Sequence, residues 1–267
     1  MQYKIFAGLG SLESRLYSTR LISARIGLLF VLGFSHLNMA AAAESATDII
    51  DQMEALYQGA SSSATMTMIV ETPQYQRTME MQASSMGTEN SFIRILSPRK
   101  DRGIATLKLD MEMWNYLPKI NKVIKVPSSM MMGSWMGSDF TNDDLVKQTT
   151  LTDEYALTLE ETDGLYTIVL VPKEETVTVW GKIEYVVNKQ YMVPVSQFFY
   201  DDNGEVIRKL EFSELKDFSG RMVPSRLEMF PMNKEGNKTI IIYDSLEFNP
   251  PDVDESIFTL RNLRSRF

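Results

Sequence analysis

Trp114-Asn-Tyr-Leu-Pro-Lys-Ile-Asn-Lys-Val-Ile-Lys-Val-Pro127 runs directly into Ser128-Ser-Met-Met-Met-Gly-Ser-Trp-Met-Gly-Ser-Asp-Phe140 and closes on Thr-Asn-Asp-Asp-Leu145. The first part reads as an amphipathic strand, while the second is almost entirely Met, Trp, Gly and Ser. That composition makes a poor rigid core. A methionine side chain, with three rotatable bonds and a polarisable sulfur, instead adapts to whatever apolar surface it meets. Met130, Met131 and Met132 are consecutive, so they fit neither the strand nor the helix period and cannot all face one core. The segment reads as a pliable apolar flap. Asp139 or Thr141 can cap a short helix in it, with Asp143 and Asp144 in the first turn, where carboxylates favour the helix dipole.

Working outward from the flap, most of the chain has the pattern of strands. Thr65–Val70, Arg77–Ala83, Ser91–Leu96, Ala105–Trp114 and Lys122–Val126 precede it, each alternating or rich in β-branched and aromatic residues. Tyr155–Glu160, Tyr166–Pro172, Lys182–Asn188, Pro194–Tyr200, Val206–Phe212, Ser225–Pro231 and Lys238–Leu246 follow it. Turn sequences such as Asp163-Gly164, Asp201-Asp202-Asn203-Gly204 and Lys234-Glu235-Gly236-Asn237 join neighbours as hairpins. Ahead of the strands, Ile49, Ile50, Met53, Leu56 and Tyr57 recur at helical spacing, with Thr47 or Asp48 able to cap and Gly59 to end the helix. The expected fold is mainly β: one strongly curved antiparallel sheet, an incomplete half β-barrel, with an N-terminal helix and a short helical lid. Apolar residues occupy both faces of several strands, so the helix and the flap are the expected plugs of the inner face.

Residues 1–43 differ from the rest. Lys4, Arg15, Arg20 and Arg25 lead into an apolar run from Ile26 to Phe34 and then Ala40–Ala43, the pattern of a secretory signal cleaved after Ala43. The run is shorter than a bilayer span requires. Residues 44–267 form the expected mature domain, with 23 basic against 34 acidic side chains and a net charge of −11. This balance argues against nucleic acid, whose binding demands positive patches. The chain has no Cys, and its one histidine, His36, falls in the leader. With neither residue, there is no thiol or histidine-based catalytic system, no histidine-ligated metal and no lipid-anchor cysteine. The expected protein is exported, monomeric and non-enzymatic, with no cofactor and no metal.

Acidic pairs at Asp143-Asp144, Glu160-Glu161, Glu174-Glu175 and Asp201-Asp202 read as solvated turn carboxylates, since adjacent strand residues point to opposite faces. No calcium loop or phosphate-cradling glycine loop is complete. Arg99, Lys100 and Arg102 after Pro98, and Lys119, Lys122 and Lys125 near the flap, read as a rim able to greet a headgroup or an acidic partner. Arg261, Arg264 and Arg266, beside Leu263 and Phe267, read as a loosely held tail.

Phe92, Arg94 and Pro98, Trp114-Asn-Tyr-Leu-Pro118, Met136-Gly-Ser-Asp-Phe140 and Asn249-Pro-Pro-Asp-Val-Asp-Glu-Ser-Ile-Phe258 occur in this order. With these motifs the chain resembles the periplasmic outer-membrane lipoprotein-sorting proteins, the LolA-like family, and within it the branch with a Met-Gly-Ser-Asp-Phe motif. The resemblance implies a periplasmic carrier whose incomplete barrel binds acyl chains of lipid or lipoprotein beneath a lid, working with an inner-membrane transporter or an outer-membrane acceptor. It also implies an arginine before the early strand's proline that holds the lid, a place taken here by Ser97. The candidate apolar cavity and lid residues are Trp114, Tyr116, Met130, Met131, Met132, Trp135, Met136 and Phe140. Ser97, Arg99, Lys100 and Asp139 are the polar rim candidates. A second reading is an adaptor that docks on an export transporter through the Met-rich flap.

Overall fold

The computed structural model describes residues 45–57, 59–146 and 151–265. The expected leader, residues 1–43, lies outside them, as do Arg266 and Phe267. The chain opens with helix α1 (Ala46–Glu54) and a single 3-10 turn, Ala55–Tyr57. It then runs through six hairpin-linked strands: β1 (Ser61–Glu71), β2 (Gln76–Met86), β3 (Asn90–Ser97), β4 (Ala105–Leu109), β5 (Glu112–Leu117) and β6 (Lys122–Lys125). The flap follows, carrying the short helices α2 (Asn142–Val146) and α3 (Leu151–Glu154). Seven more strands come next: β7 (Tyr155–Thr162), β8 (Leu165–Pro172), β9 (Lys182–Asn188), β10 (Val193–Tyr200), β11 (Val206–Phe218), β12 (Arg221–Pro231) and β13 (Lys238–Phe248). A one-turn helix α4 (Leu260–Leu263) lies near the C-terminus.

All thirteen strands form one antiparallel sheet in the order β6-β5-β4-β3-β2-β1-β13-β12-β11-β10-β9-β8-β7. The first and last strands pair at its centre, so β6 and β7 are the outer strands and the barrel is left open. This is the half-barrel that the strand pattern predicted. The flap is the connection between those two edges. Both edges are charged, with Lys122 and Lys125 on the four-residue β6 and Glu160 and Glu161 on β7, which discourages pairing with another sheet. Bulges at Thr65/Met66, Glu80/Met81, Pro194/Ser196 and Phe199/Tyr200 bend the strands where the sheet curves.

The segment expected as one strand over Ala105–Trp114 is two. Leu109 pairs with Glu112 across a two-residue turn in which Asp110 has φ +50. Aspartate tolerates that left-handed conformation, so the turn forms without the glycine that would have signalled it. The cap of helix α1 is Ser45, two residues before the nearer expected cap, Thr47: its hydroxyl accepts from Asp48 N (3.1 Å) and Asp48 Oδ2 accepts from Ser45 N (3.2 Å). Its buried face, Ile49, Ile50 and Met53, packs on Ile168, Leu170, Ile183 and Val187 of β8 and β9. Tyr57 anchors the end of the helical segment, stacking on Tyr243 at 5.1 Å and donating from its hydroxyl to Pro224 O (2.8 Å).

The sheet is covered on both faces where β3, β4 and β5 run. Their outer face carries Phe92, Ala105, Leu107 and Tyr116, which pack with Val253, Phe258 and Leu263 of the C-terminal segment. Arg94 reaches out to that segment, donating from Nη2 to Asn262 O (2.8 Å) and from Nη1 to Ser265 O (2.5 Å). The tail read from sequence as loosely held is therefore docked as far as Ser265, its last two residues lying outside the described ones. Leu263 is fully buried, and Arg94 adds its donors to the carbonyls of Asn262, in the last turn of α4, and of Ser265, just past it.

Candidate functional site

The flap folds back on itself before it covers the sheet. Trp135 N donates to Phe140 O (2.8 Å) and Ser138 N to Trp135 O (2.9 Å), with Met136 and Gly137 at φ +53 and +76 between them. Two successive positive φ values are what a type I′ turn requires, and glycine supplies the second without strain. Ser138 Oγ donates to Trp135 O (2.6 Å) and accepts from Phe140 N (3.2 Å), locking the tip. Thr141 then caps α2: its hydroxyl accepts from Asp144 N (3.2 Å), and its own N–H donates to Asp144 Oδ2 (2.8 Å). Asn142 Nδ2 ties the two ends of the flap by donating to Met130 O and Gly133 O, both at 3.1 Å.

Four strands hold this lid down. Trp135 Nε1 donates to Thr106 Oγ1 of β4 (3.1 Å), and Arg77 Nη1 of β2 donates to Met136 O (3.1 Å). Thr239 of β13 exchanges two bonds with Asp139, accepting from its N–H (2.9 Å) and donating to its Oδ2 (2.7 Å). Arg208 of β11 donates to both carboxylate oxygens of Asp144, at 2.8 and 2.5 Å. Its guanidinium also lies 3.9 Å from the Phe199 ring centroid and 4.6 Å from that of Trp180.

Beneath the lid is a cavity of about 370 Å³, within the range of roughly 300–1,000 Å³ that small-ligand sites occupy. Trp135 and Phe140 form its roof, and Met53 and Tyr57 of the N-terminal helical segment one side. Its sheet wall includes Met66, Met81, Ile93, Leu227, Met229 and Ile241. Methionine from four different elements gives walls that can re-pack around chains of different shape. The cavity's charged lining residues are Lys108 on the sheet and Glu54, Asp143, Asp144 and Glu154 on the helical segments. Glu54 has its carboxyl pushed up to about 7 by burial, against which the bond from Leu151 N acts weakly. Lys108, 3 % exposed, has its ammonium pKa lowered by burial, with Glu89 and Asp110 opposing the shift. Burial also raises the Tyr243 hydroxyl to about 12, keeping it neutral.

The structure brings together Trp135, Met136, Phe140 and Asp139 from the predicted set, the first and third as cavity roof, Met136 against the core and Asp139 as a tether. Met130 and Met132 are 60 % and 41 % exposed on the outside of the lid, and Met131 is half-buried. Trp114 and Tyr116 lie opposite Leu107 and Ala105 in register, which places them on the outer face with the C-terminal segment rather than on the cavity face. Ser97 ends β3 opposite Glu80, and Arg99 and Lys100 are exposed in the following turn. Asp144, read as a solvated turn carboxylate, is instead paired with a buried arginine. Arg208, Arg77, Thr239 and Lys108 were not among the residues singled out. The signal for Arg208 is its parity: it alternates with Leu210 and Phe212, so an apolar inner face there must carry one charge and a partner for it.

Among the described residues no group of three or more His, Cys, Asp or Glu side chains is placed to hold a metal ion. No helix among them is long and apolar enough to cross a membrane.

An open antiparallel half-barrel, plugged by an N-terminal helix and roofed by the connection between its edges, is the LolA-type fold. Three solved structures share it. A candidate outer membrane lipoprotein-sorting protein domain from Vibrio parahaemolyticus is 22 % identical, with 83 % of this chain and 100 % of that one covered at a TM-score of 0.71. A DUF1329 family protein from Desulfovibrio piger is 21 % identical over 82 % of this chain and 97 % of that one, at 0.73. A LolA superfamily protein from Nitrosomonas europaea is 21 % identical over 82 % and 100 %, at 0.67. A family model described only as "-like: Uncharacterized protein" matches residues 87–265, and the chain belongs to that family. None of the curated proteins matches it.

Proposed function

We propose that the protein is a periplasmic carrier that shields the acyl chains of a lipid or lipoprotein, without a covalent step, on their way toward the outer membrane. The observation that carries this reading is the apolar cavity between α1, the sheet and the tethered lid. Each buried CH₂ contributes roughly 0.8 kcal/mol, so one long chain supplies micromolar or better affinity with no catalytic group. The lid tethers are polar and few, which suits a roof that must open to load. The Met-Gly-Ser-Asp-Phe motif has a physical meaning in this lid: Met136 and Gly137 make the turn, Ser138 locks it, Asp139 tethers it and Phe140 roofs the cavity. The exported, periplasmic location rests on the leader-like residues 1–43 and on the kinds of protein that share the fold.

A second reading, an adaptor that docks on an inner-membrane transporter, is favoured by one observation: Met130 and Met132 are exposed on the lid's outer surface. The two readings are compatible in one molecule, since the surfaces are different. A photo-crosslinking amino acid placed at Phe140 should capture lipid or acylated peptide in cells, and one placed at Met130 should capture protein. Lipid capture at neither position would overturn the carrier.

A further inference from the structure

The polar end of the cavity is built as a row across four strands. Ser62 is opposite Ser85, Ser85 opposite Ser91, and Ser91 opposite Lys108 in the registers of β1, β2, β3 and β4. Residues directly opposite in antiparallel strands project from the same face, and all four line the cavity. The Ser62 and Ser85 hydroxyls share a hydrogen bond of 2.7 Å. Lys108 Nζ donates to Thr88 O (2.6 Å), which leaves two of its three donors for another partner. Among the described residues no carboxylate lies in ion-pair contact with it, although it is nearly fully buried. The next row, Ala64, Ala83 and Ile93, is apolar and also lines the cavity.

Charge is distributed unevenly around this space. Lys108 is the one cation among the described lining residues, whereas Glu54, Asp143, Asp144 and Glu154 line it from α1, the lid and α3. A buried ammonium on which carboxylates, those of Glu89 and Asp110, act only from beyond ion-pair contact is costly, and an anion delivered with the ligand would offset that cost. The same anion finds no second cation among the other described lining residues.

Building on the carrier reading, we infer that the cargo is an acyl lipid with one anionic head, whose carboxylate or phosphate oxygens are held by Lys108 and the hydroxyls of Ser91 and Ser85. Its chain runs from there over Ala64, Ala83 and Ile93 toward Met66 and Met81. The row orients the ligand and selects against uncharged amphiphiles of the same length.

The test uses the exported protein, delipidated, titrated with dansyl-labelled undecanoate and with its methyl ester, which keeps tail and fluorophore but loses the charge. The acid should bind roughly tenfold or more tighter than the ester, the gain of a charge-assisted bond in a shielded site. Lys108→Met should bring the acid down to the affinity of the ester and leave the ester unchanged. Displacement of the probe by oleate against oleoyl-lysophosphatidylglycerol then separates a carboxylate head from a phosphodiester. Equal binding of acid and ester by the unaltered protein, a comparison that needs no variant to fold, would overturn the head site and leave the carrier standing. So would a Lys108→Met protein that keeps the preference. Binding of neither probe would overturn the carrier reading and this inference with it.

Discussion

Arg208 of β11 and Asp144 of the lid form a two-point ion pair, 2.8 and 2.5 Å, in which the arginine side chain is only 6 % exposed and the aspartate 22 %. The guanidinium is held in place independently by the Phe199 and Trp180 rings. The sheet thus fixes the cation, and the lid supplies the carboxylate that meets it. On the carrier reading proposed above, it is the carboxylate that leaves when the lid opens.

Asp144→Asn keeps the shape of the lid and removes its charge, leaving the buried guanidinium without a carboxylate. The expected loss is about 2–4 kcal/mol, toward the lower end of buried pairs because Asp144 is partly wet. In a chain of this size each kcal/mol moves Tm by roughly 2–4 °C. Amide exchange should quicken across residues 134–145 far more than in β2 or β3. Uniform quickening over the whole sheet would mean that the pair stabilises the fold and not the lid.

Trp135 and Met130 stand on opposite sides of the same lid, and their substitutions should separate. Trp135→Ala removes a buried ring and its bond to Thr106, for a cost of about 3–5 kcal/mol. Met130→Ser and Met132→Ser, both at exposed positions, should stay within about 0.5 kcal/mol of the parent in denaturant unfolding. They should also leave acyl-probe uptake unchanged. Loss of uptake in the methionine variants would place the lid's outer surface on the loading path.

Glu54 gives the protein a pH dependence of definite sign. Its folded-state pKa is raised from 4.5 to about 7, by burial first and then by Asp51 and Asp153. Between those values the folded chain holds a proton that the unfolded chain releases, so stability falls as pH rises through that window. The contribution is fully present below the unfolded value and lost above the folded one. Tm measured across the window should decline for the parent and be flatter for Glu54→Gln. A parent Tm that climbs over the same interval would contradict the assignment.

Leu263→Ala tests the docked tail. The side chain is fully buried on the outer face, and its truncation should cost about 2–5 kcal/mol. Ligand affinity should not change, since the cavity is on the other side of the sheet. A weakened affinity at unchanged stability would couple the two faces.

The half-barrel, its helix and its lid were legible because alternation, hairpin turns and the odd Met-rich connection all appear in local sequence. The cavity lining was less so, and Thr106-Leu107-Lys108 shows why. In a sheet covered on one face, leucine points in and lysine out. Here Leu107 packs under the C-terminal segment on the outer face, so the same alternation sends Thr106 to Trp135 of the lid and Lys108 to the cavity. Trp114 and Tyr116 fall on the outer face for the same reason. Nothing within β4 or β5 announces that a segment more than 130 positions later will cover that face. The Arg208–Asp144 pair is equally non-local, separated by 64 positions, and only the inward parity of Arg208 hinted that a carboxylate would be needed.

The measurement that bears most directly on the carrier is native mass spectrometry of the protein purified from the periplasmic fraction without detergent, followed by extraction of whatever is bound. A mass increment that resolves into an acyl lipid or acylated peptide, lost in a variant whose cavity is filled by Ala83→Trp, is the predicted result. A protein that emerges empty and takes up no acyl probe after delipidation would contradict it.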